Sequence, residues 1–106
     1  MTERPEPEKQ AGIEQLRERL RPKYRVIVKV ISQKGVCMAG HKVGDEFVAS
    51  GLTAGMCPEA FHSALPFVKA LLYGGTFPEA KDPDMVEVAC LDGTNPLVMQ
   101  LRREPL

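Results

Sequence analysis

The sequence of 106 residues is poor in aromatic side chains and has no excess of either charge. It contains no Trp, 6% aromatic residues, and fourteen basic against fourteen acidic residues. Domains that bind nucleic acid normally show clustered positive charge, and those that bind single strands also use aromatic rings to stack on bases. The composition therefore predicts that the protein has no nucleic-acid partner.

A long apolar run is also absent. A membrane-spanning helix needs roughly 18–20 consecutive apolar residues, and no stretch of the sequence approaches that length. The first ten residues, MTERPEPEKQ, contain no apolar segment of the kind found in secretory signals. We therefore expect a cytoplasmic protein with no membrane partner.

Cysteines are few, with three in the chain. In a cytoplasmic protein they are expected to be reduced thiols and not a disulfide framework. Small domains bury little surface and are often stabilised by a bound metal or by oligomerisation. A bound metal or a second copy of the chain could therefore contribute to the stability of a domain of this size.

The first part of the chain, residues 1–23, is predicted to be a polar N-terminal extension. It opens with a Pro- and Glu-rich stretch of the kind that is disordered or loosely attached. Gly12–Arg21 then shows a narrow apolar stripe with helical spacing, and a proline follows that ends the helix. We expect this short amphipathic helix to pack on the body of the protein or on a second copy of the chain through Ile13, Leu16 and Leu20.

Residues 24–106 are predicted to form a single small α+β domain. The alternation of apolar residues at its start is typical of a half-buried strand, and the broad apolar face after Cys57 and Pro58 is typical of a packed helix. Pro66 lies within that helix, so we expect a kink near it or two abutting helices. The predicted order is β-β-α-β-β, a mostly antiparallel sheet packed against the helix, with strands at Tyr24–Ile31, Glu46–Ala49, Met85–Leu91 and Leu97–Arg102.

The stretch Lys34–Pro58 is too long and too rich in glycine to be a plain connection, and long loops in small domains are often functional. It contains the sequence CMAGH, and a further cysteine at the start of the predicted helix. Thiolate and imidazole groups are ligands for zinc and related transition metals. We predict a zinc or iron site whose ligands are Cys37, His41 and Cys57, with Cys90 or His62 as the fourth.

A second hypothesis is an enzyme that uses Cys57 as an activated thiol on a small-molecule substrate. A cysteine at a helix N-terminus is biased toward thiolate by the helix dipole. His62 or His41 would act as the base. On an ideal helix, residues five apart are separated by roughly 140°, which argues against the pairing of Cys57 with His62; a cysteine in the cap position weakens this objection without removing it.

Two further interpretations need no chemistry at the cysteines. Free cysteines often pack as small hydrophobic residues, and Cys90 shares a strand face with Val86 and Val88. The chain would then be a non-catalytic module that forms a homodimer through the N-terminal stripe or a sheet edge.

Several motifs in order resemble a family of short, functionally uncharacterised bacterial and archaeal proteins. The resemblance covers roughly residues 24–103 and implies that the three cysteines and His41 belong to shared motifs, but it implies no established reaction. The motifs are K-G-x-C-x-x-G-H-K-x-G-D at Lys34–Asp45, Cys57-Pro58, Tyr73-Gly74-Gly75 with Phe77-Pro78, Asp82-Pro83-Asp84, and V-A-C-x-D…N-P at Val88–Pro96.

Overall fold

The structure of the chain, a computed structural model, describes residues 7–49 and 55–106, with residues 7–10 described by their backbone alone. The predicted small α+β fold is confirmed. Residues 1–6, which belong to the stretch expected to be disordered, lie outside the described residues. The elements are α1 (Pro7–Leu20), β1 (Tyr24–Gln33), β2 (Glu46–Ala49), α2 (Pro58–Leu72), β3 (Met85–Ala89) and β4 (Leu97–Pro105).

The four strands form one antiparallel sheet in the order β2-β1-β4-β3. Because side chains alternate between the two faces of a strand, every second residue of β1 and β4 points into the core. A register shift between Val30 and Ser32 interrupts the pairing of β1 with β4 near the end of β1. The inward residues of the two central strands are Val26, Val28, Val30, Leu97, Met99 and Leu101.

Helix α2 covers one face of this sheet. Its apolar residues recur at helical spacing and are buried against the inward residues of the strands. Phe67 on the helix also packs on Phe77 of the following loop, with ring centroids 5.3 Å apart. The buried residues of α2 are Ala60, Ala64, Val68, Leu71 and Leu72.

Helix α2 passes through Pro66 without a break, so the expectation of two abutting helices is wrong. Proline removes one intrahelical hydrogen bond, which leaves the carbonyl four residues earlier, that of His62, without its usual donor. Pro66 and His62 are both exposed, so water can satisfy this carbonyl. The broad apolar face on the other side of the helix holds the segment together.

Helix α1 differs from the prediction in length and in packing. It begins at Pro7 instead of Gly12, and two ion pairs, Glu14–Arg17 at 2.8 Å and Glu18–Arg21 at 3.2 Å, lie along its exposed surface. Every residue from 11 to 20 is exposed, so the apolar stripe does not pack on the body of the protein. Neither helix of the described residues is long and apolar enough to cross a membrane.

One buried charge ties the end of α2 and the following loop to the sheet. The Arg103 guanidinium donates to Asp84 Oδ1 at 2.9 Å, to the Gly75 carbonyl at 2.7 Å and to the Pro83 carbonyl at 3.1 Å. It also lies over the ring of Tyr24, 4.8 Å from the centroid. Burying a charged group is unfavourable unless it is paired and hydrogen-bonded, and this side chain meets both conditions.

Candidate functional site

A cavity of about 150 Å³ lies between the loop after β1, the start of α2 and the turn between β3 and β4. We call it the cysteine cavity because all three cysteines of the chain line it, each as a half-buried free thiol. His41 lines it as well. The four residues predicted as metal ligands, Cys37, His41, Cys57 and Cys90, are therefore brought to one place although they span 54 positions of the chain, from 37 to 90.

The loop after β1 reaches the cavity through a tight turn and then returns to the sheet. The Gly40 N–H donates to the Cys37 carbonyl at 2.9 Å, which closes a turn directly before His41. Gly40 and Gly44 have φ values of 81° and 97°, a region that glycine adopts without steric cost. The Gly44 N–H then donates to the Val30 carbonyl at 2.8 Å. The glycines of the motif thus shape the loop that carries the first two candidate ligands.

His41 is held by a hydrogen bond to the backbone of Cys57. The Cys57 N–H donates to His41 Nε2 at 2.9 Å, and the ring packs edge-on against Phe47 with centroids 5.0 Å apart. An imidazole nitrogen that accepts a hydrogen bond carries no proton, so the neutral ring has its proton on Nδ1. In this arrangement the Nε2 lone pair is used by the backbone and is not free for a metal ion or for a thiol proton.

Cys57 is the N-cap residue of α2. Its carbonyl accepts the Phe61 N–H at 2.9 Å, the first hydrogen bond of the helix, while its side chain makes no capping bond. Pro58 follows at the first helical position, where its missing N–H costs nothing. The Cys57 thiol therefore lies at the positive end of the helix dipole, where negative charge is favoured.

Cys90 follows β3 directly and contributes to both the cavity and the core. Its N–H donates to the Leu97 carbonyl at 2.8 Å, and its Sγ accepts the Leu97 N–H at 3.3 Å. The side chain also packs against the buried core cluster. The two interpretations of Cys90, as a core residue and as a cavity residue, thus describe different parts of the same side chain.

The turn between β3 and β4 is shaped by Asp92, which belongs to the V-A-C-x-D motif but was not predicted as a site residue. Asp92 Oδ1 accepts the backbone N–H groups of Thr94 and Asn95, each at 3.0 Å. The hydrogen bond from the Asn95 backbone is the main cause that holds the pKa of Asp92 below its usual value, followed by that from Thr94. A side chain that bonds to the backbone two and three residues ahead is typical of Asp in turns.

Asn95 joins this turn to the loop that carries Cys37. Its Oδ1 accepts the Val36 N–H at 3.1 Å, and a Cβ added to Gly35 would collide with the same oxygen. Gly35 also has a φ of 76°, so two independent constraints require glycine there. Asn95 was missed as a site residue, although Lys34-Gly35 and Asn95-Pro96 were both noted as motifs, because only the folded chain places them in contact.

The charged side chains that line the described part of the cavity are both acidic. They are Glu59 in the first turn of α2 and Asp92, and no Lys or Arg is among the lining residues. Like charges accumulated at one place favour a ligand of the opposite sign. The surroundings of the thiols therefore suit a cation better than an anionic ligand.

The structure separates His62 from the other candidates. His62 is exposed on α2 and is not among the residues that line the cavity, so the predicted pairing of Cys57 with His62 stays a prediction without support from the geometry. Within residues 7–49 and 55–106, no three His, Cys, Asp or Glu side chains are arranged to hold a metal ion. The four candidate ligands surround the cavity without meeting at one point.

Comparisons with known proteins identify no relative of this site. No family model matches the chain, and no curated protein or solved structure matches it significantly. The resemblance suggested by the sequence motifs stays a prediction, and the chemistry of the cavity follows from its own residues.

Proposed function

We propose that the cysteine cavity binds a transition-metal ion, zinc or iron, through the thiolates of Cys37, Cys57 and Cys90, with His41 as a further ligand. The observation that carries this proposal is the convergence of three thiols, from the loop, a helix cap and a strand end, on one small cavity. Thiolate and imidazole are the ligands that these metals prefer in proteins.

The carboxylates at the cavity have two opposing effects, because they attract a cation but repel the thiolates that would bind it. A doubly charged ion bound by three thiolates leaves a net negative site, which neighbouring basic groups would stabilise and neighbouring carboxylates would not. Glu59 and Asp92 lie at the rim, so the ion must bind tightly enough to outweigh their repulsion of the thiolates.

Binding requires the ligands to move inward. Zn–S bonds are about 2.3 Å and Zn–N bonds about 2.0–2.1 Å, so four ligands must come close to one point. A cavity of about 150 Å³ is several times the roughly 30 Å³ that one water occupies in the liquid, so it must contract around an ion. The glycines of the loop permit this movement for Cys37 and His41.

His41 decides whether the proposed site is closed or open. If His41 releases the Cys57 N–H and turns Nε2 toward the ion, four protein ligands complete a structural site. If the hydrogen bond persists, the three thiolates hold the ion and leave one position for water or a small-molecule ligand. That open position is the one that Lewis-acid chemistry requires.

Metal analysis of the full chain, purified under reducing conditions, tests the proposal. We expect a single zinc or iron ion per chain, and Co²⁺ in its place should show thiolate-to-metal absorption. The substitutions Cys37→Ser, Cys57→Ser and Cys90→Ser should each abolish that absorption, whereas His62→Asn, outside the cavity, should preserve it. A folded wild-type chain that takes up none of these ions would overturn the proposal.

A second candidate function is supported by the position of Cys57 at the start of α2. The helix dipole favours a thiolate there, and His41 contacts the backbone of the same residue. With Nε2 occupied, the Nδ1–H of His41 can donate a hydrogen bond to a thiolate but cannot accept a thiol proton. His41 would then stabilise a nucleophile instead of acting as its base.

Alkylation rates of the individual thiols distinguish this second function from inert packing. Reaction of Cys57 well ahead of Cys37 and Cys90 at neutral pH, slowed by His41→Ala and not by His62→Ala, is the expected result. Three thiols that react equally slowly would leave Cys57 without a catalytic role. The reaction is measured by mass spectrometry of digests of the metal-free chain.

A further inference from the structure

Helix α1 is folded without a partner among the described residues. Helices shorter than about 12–15 residues are marginal in water on their own, and α1 has 14 residues. Its apolar stripe is exposed, with 37% of Ile13, 46% of Leu16 and 58% of Leu20 accessible to solvent. Helix α1 makes no extensive contact with another element among the described residues, and the radius of gyration of 16.9 Å exceeds the roughly 13 Å of a compact chain of about 100 residues.

The sheet has a second surface that no described residue outside the strands covers, which we call the open face. It consists of the outward residues of the four strands, opposite α2. The registers place an apolar row across it, from Val48 on β2 through Ile27 on β1 to Met85 on β3. Arg102 lies between the last two, and its guanidinium contacts Met85 Sδ at 3.3 Å, so its stem continues the row.

A depression of about 420 Å³ marks the centre of the open face. Ile27 is the one apolar residue among the described residues that line it, and charged groups surround it. An exposed aliphatic side chain could contact Ile27 at this centre, and Leu16 of α1 is such a side chain. The other lining residues are Arg25, Lys29, Glu46, Gln100, Arg102 and Glu104.

Helix α1 is long enough to cross the open face. A helix rises about 1.5 Å per residue, so the 14 residues of α1 extend about 21 Å. Four strands at spacings of about 4.8 Å are about 14 Å across. One copy of α1 therefore spans the whole width of the open face.

The connection between α1 and β1 is short and contains a proline. Only Arg21, Pro22 and Lys23 separate the two elements. Proline fixes its own backbone and forces the preceding residue into an extended conformation, so the chain leaves the helix in an extended form. In a dimer with a two-fold axis, α1 of one copy can pack on the open face of the other.

We infer that two copies of the chain form a dimer in which α1 of each packs across the open face of the other. The exchange covers the apolar stripe of α1 and the apolar row of the open face in both copies. The inference does not rest on the metal proposal, because neither α1 nor the open face contributes a residue to the cysteine cavity.

Sedimentation or light-scattering mass of the full chain, with two disruptive variants and one control, tests the inference. Wild type should be a dimer, and both Leu16→Asp on α1 and Ile27→Asp on the open face should shift it to monomer. Gln15→Asp introduces the same charge beside the stripe and should leave the dimer intact. Val48→Lys, on the exposed end of the row, replaces Ile27→Asp if circular dichroism shows that variant to be unfolded.

Mixing the two disruptive variants gives the decisive measurement. In an equal mixture, the intact α1 of the Ile27→Asp chain can pack on the intact open face of the Leu16→Asp chain. We therefore expect a heterodimer held by one of the two contacts, dissociating at a higher concentration than wild type. A monomeric wild type would overturn the inference, as would a dimer lost with Leu16→Asp but unchanged by open-face substitutions, which would indicate helix-to-helix pairing.

Discussion

The two ends of strand β4 carry polar groups of opposite character. Near its C-terminal end, Arg103 is surrounded by acceptors from three parts of the chain, and 6% of its side chain is exposed. Near its N-terminal end, the cysteine cavity holds three half-buried thiols beside two carboxylates. The first cluster is complete within the protein, whereas the thiols of Cys37 and Cys57 have no hydrogen-bond partner among the described residues. The difference separates a structural cluster from a candidate binding site.

The largest expected effect is on the complete cluster. Arg103→Met removes the donor of the buried Leu71 carbonyl and of the part-buried Gly75 and Pro83 carbonyls, and an unsatisfied buried acceptor costs about 1–3 kcal/mol. We expect the free energy of unfolding to fall by about 3 kcal/mol, as measured by urea denaturation, with no change in metal uptake. Arg103→Lys is the matched control, and it should recover part of the loss because it keeps the charge but not the planar fork.

A loss below about 1 kcal/mol for Arg103→Met would mean that water replaces the guanidinium easily. The cluster would then not be the closed structural unit that its burial indicates. The contrast between a closed structural cluster at one end of β4 and an incomplete one at the other would then not hold.

The next largest effect is expected at the edge of the cysteine cavity. Gly35→Ala forces a side chain into a left-handed conformation, at a cost of about 1–2 kcal/mol, and adds a collision with Asn95 Oδ1. Gly40→Ala is a matched control, since its φ of 81° is similar and nothing lies within 4 Å of the added Cβ. The excess loss of Gly35→Ala over the control, in unfolding free energy and in metal affinity, measures the contact with Asn95. Equal losses in both variants would argue against that contact.

A smaller effect is expected from removing the Asn95 side chain. Asn95→Ala leaves the Val36 N–H without its acceptor, which costs about 1 kcal/mol for a partly exposed group. Because this bond ties the Cys37 loop to the turn after Cys90, metal affinity should fall more than stability does. Thr94→Ala, in the same turn, is the control. An unchanged affinity in Asn95→Ala would show that the loop is positioned by other contacts.

The smallest effect is a pH dependence at the cavity rim. The folded pKa of Asp92 lies below its ordinary value of 3.8, chiefly because its carboxylate accepts the Asn95 N–H. Its contribution to stability is therefore present above pH 3.8 and is lost as the pH falls through the lower folded pKa. Asp92→Asn keeps an acceptor but does not titrate, so its unfolding free energy should change less with pH in this range. Parallel pH profiles would contradict the assignment.

Patterns local in sequence predicted most of the fold. Alternation placed β1 with its valines inward, and the apolar face of α2 with its proline start was sufficient to locate the beginning of the helix. The packing of α1 could not be predicted in the same way, because a three-residue stripe does not specify its partner. The continuity of α2 at Pro66 also depends on exposure, which only the folded chain defines.

The candidate site could be predicted in its members but not in its geometry. Residue chemistry and glycine content pointed to Cys37, His41 and Cys57, and the structure brings them to one cavity with Cys90. The bond from the Cys57 N–H to His41 connects residues 16 positions apart, and no spacing rule predicts it. His62 shows the opposite case, since nearness in sequence to Cys57 did not bring it to the cavity.

The hydrogen bond between the Cys57 amide and His41 has a consequence for how occupancy of the cavity could be observed. One backbone proton at the start of α2 reports on the state of a ring that also faces the cavity. Recruitment of His41 Nε2 by an ion would free this amide, so it would exchange with solvent deuterium faster while the helix behind it stays protected. Ion binding would thus speed the exchange of this one amide instead of slowing it. The change would distinguish a His41 that binds the ion from one that does not, without any measurement on the ion itself.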